Sequence, residues 1–546
     1  MPPRALQIPE LISIICEHSS PRSLANLAQT CSFFAELALN ALWANQLIST
    51  LLIKILPMGA LAITSHESYS MMEPFYPTPG HLAVELTDDH WERVASYGAR
   101  VRTVSHHLET HISTVIHFSP DLIRMWTHYA QRRGIGLAVC PNAQRMLWHV
   151  ADPSAMTQEL AFVLNRGLSS LSVTTLGCLP GRLLPAFNLE LESWAQDSVT
   201  ENLDHWVSLL ISQCPALEYV SLPPVSALCS RALANSPALQ CICLEYVLEV
   251  DQCHEAVSCP YPALNTVIMS AKLDQIMSFM RMLDGRRNLT SIDLNCLPSR
   301  GDIVPKIIVL LGMIARSCDA TSLSALELRD KSLVTLNGMN PPYTIPSTHL
   351  HPFLAFHGLR FITIQLRGHI DIDDDDVEVF AQSWPLLRQL CLIKTLTPAM
   401  YELPGPSGVP LVSLKRIRTT PKCLISLALY CPRLRYLSIP IDLSSLPESG
   451  GDPAGGGVVH HHLETLRVGP VMGRELDIEE TMSAVAMFLS CVFPSLRSVG
   501  SVLSWVPDVQ VRFEELSNLL RKLANARQEE RTALGTPGAS QQFSRR

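Results

Sequence analysis

The sequence predicts an α/β fold: a leucine-rich-repeat solenoid, of horseshoe type, preceded by a small three-helix domain. Three observations carry that expectation. A leucine followed by apolar residues three and five positions later recurs along the chain, often two residues after a proline. Helical patterns fall between its copies, and the first forty-five residues follow a different, helical pattern.

The opening segment, Leu6–Asn45, reads as three short helices. Pro9 suits a first helical position, with Glu10 near the positive end of the dipole, and Leu11, Ile12 and Ile15 form one stripe. Ser20-Pro21 restarts the chain as N-cap and first helical residue, giving a second stripe of Leu24, Leu27, Ala28 and Cys31. Ser32 is a candidate cap for a third helix carrying Phe34, Leu37, Ala38, Ala41, Leu42 and Trp43. So small a unit is near the limit for independent folding. It holds more apolar surface than three short helices bury among themselves, so it should dock on the array behind it or on another protein.

The repeat frame follows. Pro215, Pro237, Pro262, Pro385, Pro432 and Pro494 each stand two residues before a leucine that opens a frame, as in Leu239/Ile242/Leu244 and Leu434/Leu437/Ile439. The frame recurs without its proline at Leu168, Leu289, Leu323, Leu359 and Leu463, with weaker echoes at Ala143/Met146/Trp148 and Leu414/Ile417. Apolar residues two apart point to one face of a short strand, and the proline ends whatever helix came before. Helical patterns at Leu273–Leu283, Val304–Ala315, Val377–Trp384 and Ile425–Tyr430 lie between frames. A strand plus a helix every 20–36 residues or so is the period of a leucine-rich array, each unit burying its apolar face against its neighbours. The wider spacing from Leu168 to Leu217 suggests a degenerate repeat near Pro185–Trp194.

These signals divide the chain into a helical domain over 5–46, linker helices and the start of the array over 47–140, and the array proper over 141–510. Pro/Gly-rich segments at 402–411 and 445–459 read as mobile loops. Phe513, Leu516, Leu519, Leu520 and Leu523 mark a capping helix over 511–526, and the polar stretch 527–546 reads as disordered.

Composition narrows the function. The 546 residues are too many for one compact core, and 47% apolar against 17% charged residues excludes bulk disorder. The net charge of −8, with no long basic block, argues against nucleic acid as a partner. No apolar run reaches the ~20 residues of a membrane span, and the N-terminal stretch lacks a signal-peptide pattern. Sixteen scattered cysteines read as reduced thiols of an intracellular protein.

Catalytic and metal signatures are weak. There is no Gly-x-Ser-x-Gly elbow, phosphate loop or His-Glu-x-x-His helix. The acidic run Asp371–Asp376 lacks the glycine and glutamate of an EF-hand loop and suits the positive end of the following helix. Cys241 and Cys243 straddle an inward isoleucine, so with Cys253, His254 and Cys259 they make a poor zinc set. Cys140, Cys214, Cys259 and Cys431, each before a proline, read as small buried thiols, and His460-His461-His462 as a solvated loop end. We expect no catalytic site, no metal and no cofactor.

Ile8-Pro9-Glu10-Leu11, the Leu24/Leu27 helix and the closing Leu42-Trp43 resemble the F-box. The remainder resembles fungal F-box proteins with degenerate leucine-rich repeats. Asp88-Asp89-His90-Trp91-Glu92-Arg93 with Tyr97 and Ala99-Arg100-Val101-Arg102 resembles the phrase that follows their F-box, and Asp371–Pro385 their late repeats. Ile8 stands where leucine is usual, and Phe34 near where tryptophan is frequent. The resemblance implies a non-catalytic, substrate-recognition subunit of an SCF-type cullin-RING ubiquitin ligase, in the cytoplasm and/or nucleus. Its adaptor-binding residues would be Ile8, Pro9, Leu11, Ile12, Ile15, Leu24, Leu27, Leu42 and Trp43, some of which must be internal core. A client protein would meet outward strand positions such as Glu218, Tyr219, Ser221, Thr290, Asp293, Glu327, Thr363, Gln365 and Arg435. The competing expectation is a non-ligase scaffold whose N-terminal helices only cap the array.

Overall fold

The structure, a computed structural model, describes residues 8–57, 86–105, 120–150, 167–175, 208, 211–212, 214–222, 227–245, 261–283, 288–297, 303–330, 343–366, 368–394, 417–443, 446, 457–468, 479–501 and 507–535. The chain divides into two compact units, Met1–Leu264 and Asn265–Arg546.

The first unit opens with α1 (Pro9–Glu17), α2 (Pro21–Ala28) and α3 (Ser32–Ala44). Pro9 is indeed the first residue of α1, where its missing N–H costs nothing. Ser20 caps α2, its hydroxyl accepting from the Ser23 amide at 3.2 Å. The expected Ser32 cap is one residue out: Cys31 precedes α3 and no side chain caps that helix, because Ser32 already belongs to it. Ile12, Cys16, Leu24 and Ala38 form the core of the three helices, with Leu27, Ala28, Phe34, Leu37, Ala41 and Leu42 packed around it.

A ladder of parallel strands starts directly after α3. β1 (Asn45–Leu47), β2 (Thr103–Ser105), β3 (Arg145–Val150), β4 (Ser170–Thr175), β5 (Tyr219–Leu222) and β6 (Cys241–Glu245) pair in chain order. Between them in sequence lie α4 (Ile48–Ile55), α5 (Asp88–Gly98), α6 (Pro120–Arg133) and α7 (Ala227–Ala234). The first two rungs escape a leucine search because β2 is entered through Val101 and Val104, both fully buried. β4 pairs straight onto β5, with Leu171 beside Val220, so nothing intervenes in the ladder; Pro185–Trp194 itself lies outside the described residues.

The second unit repeats the scheme: β7 (Thr266–Lys272), α8 (Leu273–Met282), β8 (Ser291–Leu297), α9 (Ile303–Ser317) and β9 (Ala325–Asp330). After β10 (Thr344–Pro346) and a 3₁₀ helix (Ser347–Ala355) come β11 (Phe361–Leu366), β12 (His369–Asp371), α10 (Asp374–Ser383) and β13 (Gln389–Lys394). α11 (Lys422–Tyr430), β14 (Tyr436–Ile439), β15 (Thr465–Val468), α12 (Glu479–Val492), β16 (Ser498–Ser501) and α13 (Pro507–Gly535) complete it. β7, β8, β9, β11, β13, β14, β15 and β16 are parallel neighbours, while β10 and β12 form a separate pair. The Leu414/Ile417 echo adds no rung, since β13 pairs directly with β14.

Register explains the frame. Ile292, Leu326, Ile362, Leu390, Leu437, Leu466 and Val499 align from strand to strand, and all are buried. So are the leucines three positions earlier, from Leu289 to Leu496. Each such side chain contributes roughly 1.5–3 kcal/mol by leaving water, but only if the neighbouring rung is present. The chain is therefore an α/β repeat protein of leucine-rich type.

The last rung is closed by α13. Phe513, Leu516 and Leu520 are buried, and the Ser517 hydroxyl accepts from the Val499 amide at 3.1 Å and donates to the Val499 carbonyl at 3.0 Å. This helix runs to Gly535, beyond the expected 511–526 and into the stretch read as disordered. Arg527 extends the docking, its guanidinium donating to the Ser490 carbonyl and to Cys491 Sγ. The segment 402–411 and most of 445–459 lie outside the described residues.

Candidate functional site

The three N-terminal helices leave one apolar face open. On α1, Ile12 and Cys16 point into the core, four residues apart on one side of the helix. Leu11, Ile14 and Ile15, at i, i+3 and i+4, fall on another side and stay 43%, 52% and 47% exposed. Ile8, preceding the helix, and Phe33 at the start of α3 are also exposed. α1 thus has two apolar faces and fills only one.

The expected adaptor-binding residues separate accordingly. Ile8, Pro9, Leu11 and Ile15 are exposed. Ile12 and Leu24 are core residues, because the short helices need them to hold one another together, so neither presents a contact surface. Leu27 and Leu42 flank that core, half-buried. Trp43 turns towards the array: its ring packs on Tyr97 of α5 at 4.7 Å, with the Lys54 ammonium 5.8 Å from the ring centroid. Sequence reasoning missed Ile14 and Phe33. The signal for Ile14 was its place three residues after Leu11, completing the stripe.

α5 and the turn after it tie these helices to the ladder. Arg100 donates to both carboxylate oxygens of Glu36 (2.8 and 3.0 Å) and to Asn40 Oδ1 (2.5 Å), both on α3. That hydrogen bonding holds the Glu36 carboxyl below its ordinary range. The Arg102 amide donates to the Ala44 carbonyl at 2.8 Å. Underneath, Trp91 packs on Trp126 and Tyr129, and a Cβ on Gly98 would stand 2.0 Å from the Val139 carbonyl oxygen, so only glycine fits that approach. The phrase around Trp91–Arg102 is in effect the joint between the helices and the first rungs.

The second surface is the outward row of the second unit's strands. Asp293, Glu327 and Thr363 are register neighbours, as are Asn295, Arg329 and Gln365. Arg329 bridges to Glu327 at 2.7 Å and approaches Asp293 at 3.8 Å. Burial pushes the Glu327 carboxyl above its usual range, with the Asp293 carboxylate adding to the rise and Arg329 opposing it. Thr363, expected at a client surface, is only 2% exposed, because neighbouring strands crowd it and the Gln389 amide donates to its hydroxyl. Glu218, Thr290 and Arg435 are exposed, and Tyr219, Ser221 and Gln365 half-buried.

No family model matches the chain, and no curated protein sequence matches it. Solved structures do align with it. A yeast Rad7–Elc1 complex matches with TM-score 0.28 at 12% identity, over 90% of this chain and 88% of that one. The leucine-rich repeat-containing protein LegL7 from Legionella pneumophila gives 0.27 at 13%, over 64% and 91%, and an internalin from Listeria monocytogenes 0.27 at 12%, over 72% and 86%. The repeat fold itself rests on the chain's own ladder.

Several of the metal and thiol candidates occupy structural positions. Among the described residues, no group of three or more His, Cys, Asp or Glu side chains is placed to hold a metal ion. Burial pushes the Cys140 and Cys431 thiols up to about 12 and Cys214 to about 11, which keeps them protonated. Cys253, His254 and Cys259 lie outside the described residues. Asp373 caps α10 and pairs with Arg418, while Asp374 accepts from the Thr420 amide and hydroxyl, both at 2.7 Å. His460 corrects the reading of a solvated tract: it is 2% exposed, with Nε2 2.9 Å from the Cys431 carbonyl and its ring edge-on to Phe493. His461 and His462 remain exposed. No helix among the described residues is long and apolar enough to cross a membrane.

Proposed function

We propose that the protein is the substrate-recognition subunit of an SCF-type cullin-RING ubiquitin ligase, docking the adaptor through its N-terminal helices and holding a client protein on the repeat strands. The observation that carries this reading is the open apolar face of Ile8, Leu11, Ile14 and Ile15 on a helix whose opposite side already completes a core. A mere cap would turn that stripe onto the array. Here the array is met instead by α3, through Trp43, Glu36 and Asn40.

Magnitudes support a docking face of modest strength. The four residues are about half exposed, so burying the rest would contribute about 3–6 kcal/mol before costs. Association costs at least about 4 kcal/mol, so the adaptor must also engage neighbours such as Pro9 and Phe33. On this reading the protein catalyses no bond change and acts in the cytoplasm and/or nucleus. Its contribution is proximity, holding client lysines where a loaded enzyme can reach them.

The test is a pull-down with purified ligase adaptor. Leu11→Ala/Ile15→Ala should leave the urea midpoint nearly unchanged and abolish capture. Ile12→Ala should cost about 2–4 kcal/mol of stability, being a core truncation. A folded parent that captures no adaptor leaves the scaffold reading.

A further inference from the structure

We propose that Arg360, Arg388 and Arg435 form a receptor for a short Asp/Glu-rich segment of a client protein. The proposal rests on the reading that the array holds a client, and it names the chemistry of the segment held.

The three arginines occupy one structural position in three adjacent repeats. Each is the residue immediately before its strand. The Arg388 amide donates to the Arg360 carbonyl at 2.7 Å, and the Arg435 amide to the Arg388 carbonyl at 2.8 Å. The same backbone column runs through Asn265, Thr290 and Ser324 on one side, then Glu464 and Arg497 on the other. Uncharged polar residues thus give way to three consecutive cations just ahead of β11, β13 and β14. All three side chains are exposed, and among the described residues none takes part in an ion pair. Two nearby arginines differ in being matched by acids: Arg329 by Glu327, and Arg418 by Asp371 and Asp373.

Adjacent parallel strands stand ~4.8 Å apart, so the column spans about 9.6 Å, roughly three residues of an extended peptide at ~3.3 Å each. Like charges that close lie within one Debye length and repel. An acidic segment laid across the strands relieves that repulsion and receives planar, two-pronged donors suited to carboxylates. Phe361, 40% exposed, follows Arg360, and Tyr436, under the Arg467 guanidinium at 6.0 Å, follows Arg435, giving apolar flanks. A nucleic-acid backbone fits less well. Its charge continues past three positions, where it would meet Glu464 on one side and only the uncharged Ser324 and Thr290 on the other.

The experiment is fluorescence anisotropy on the full chain, without adaptor. The probe is a fluorescein-labelled peptide with four consecutive acidic residues; its serine-substituted counterpart is the control. The acidic peptide should bind, weaken with rising salt, and lose about tenfold in affinity with each of Arg360→Glu, Arg388→Glu and Arg435→Glu. Arg497→Glu, beyond the glutamate, should change it less than twofold. Equal binding of the serine peptide, no effect of the three reversals, or tighter binding of a labelled single-stranded RNA through the same arginines would overturn the proposal. Because no adaptor is present, a failed ladder leaves the pull-down intact, and a failed pull-down leaves a peptide-binding scaffold.

Discussion

His460 shows how one side chain joins two repeats. Its Nδ1 lies 3.2 Å from the Leu463 amide and so accepts, which leaves the proton on Nε2 to be donated to the Cys431 carbonyl. Burial of the ring lowers its pKa, and protonation would also remove the Nδ1 acceptor. A depressed folded pKa means the unfolded chain binds the proton more readily. The stabilisation is therefore full above the ordinary histidine value of about 6.5 and is lost as pH falls through the lower folded value. Urea midpoints at pH 7.5 and 5.5 should fall further for the parent than for His460→Gln; equal shifts would remove His460 as the cause. Nothing in the sequence announces this. A histidine run beside glycines reads as solvated, and only the fold brings Cys431 within reach. Ile12 and Leu11 mark the opposite case: both are legible as apolar helix residues, but which one faces in depends on how α2 and α3 settle against α1.

At the scale of elements, the acidic run before α10 does two things. The sequence shows the first, acidic residues at a helix start, where Asp373 and Asp376 form a reciprocal cap. The second is a cross-repeat clamp, since Asp374 takes both donors of Thr420 just ahead of α11. Asp374→Ala should cost about 1–3 kcal/mol, the range for lost hydrogen bonds to a charged acceptor. Thr420→Val should cost less, because the amide bond survives. Should the two variants and their combination add, the clamp is not a unit; a double-mutant cycle decides it. Rungs were legible wherever a leucine frame opened them, as at Leu289 or Leu434. β1 and β2 were not, because valines or a preceding helix supply their burial. The direct pairing of β4 with β5 was not legible either, since length in sequence does not reveal which strands become neighbours.

For the whole molecule, repeated nearest-neighbour burial makes the ends the weak places. A bare last strand is a template for another chain, and α13 covers it through Phe513, Leu516, Leu520 and the Ser517 bonds. Deleting residues 507–546 should convert the protein into concentration-dependent aggregates, seen by light scattering at unchanged helix content elsewhere. Ser517→Ala should leave it monomeric but raise amide exchange at Val499. A truncated chain that stays monomeric would show that β16 needs no cover. At the other end, Arg100 and Tyr97 hold α3 against the first rungs, so whatever sits on α1 is carried at a fixed angle to them.

The Ser517 hydroxyl stands in for a strand, offering one donor and one acceptor to a backbone that wants both. Such a terminator recognises position rather than sequence: it needs only a rung that ends the stack. A copied repeat inserted before β16 would lengthen the array and leave the stopper seated, whereas one appended after α13 would find no open backbone to join. The protein can therefore grow from its interior but not from its tail.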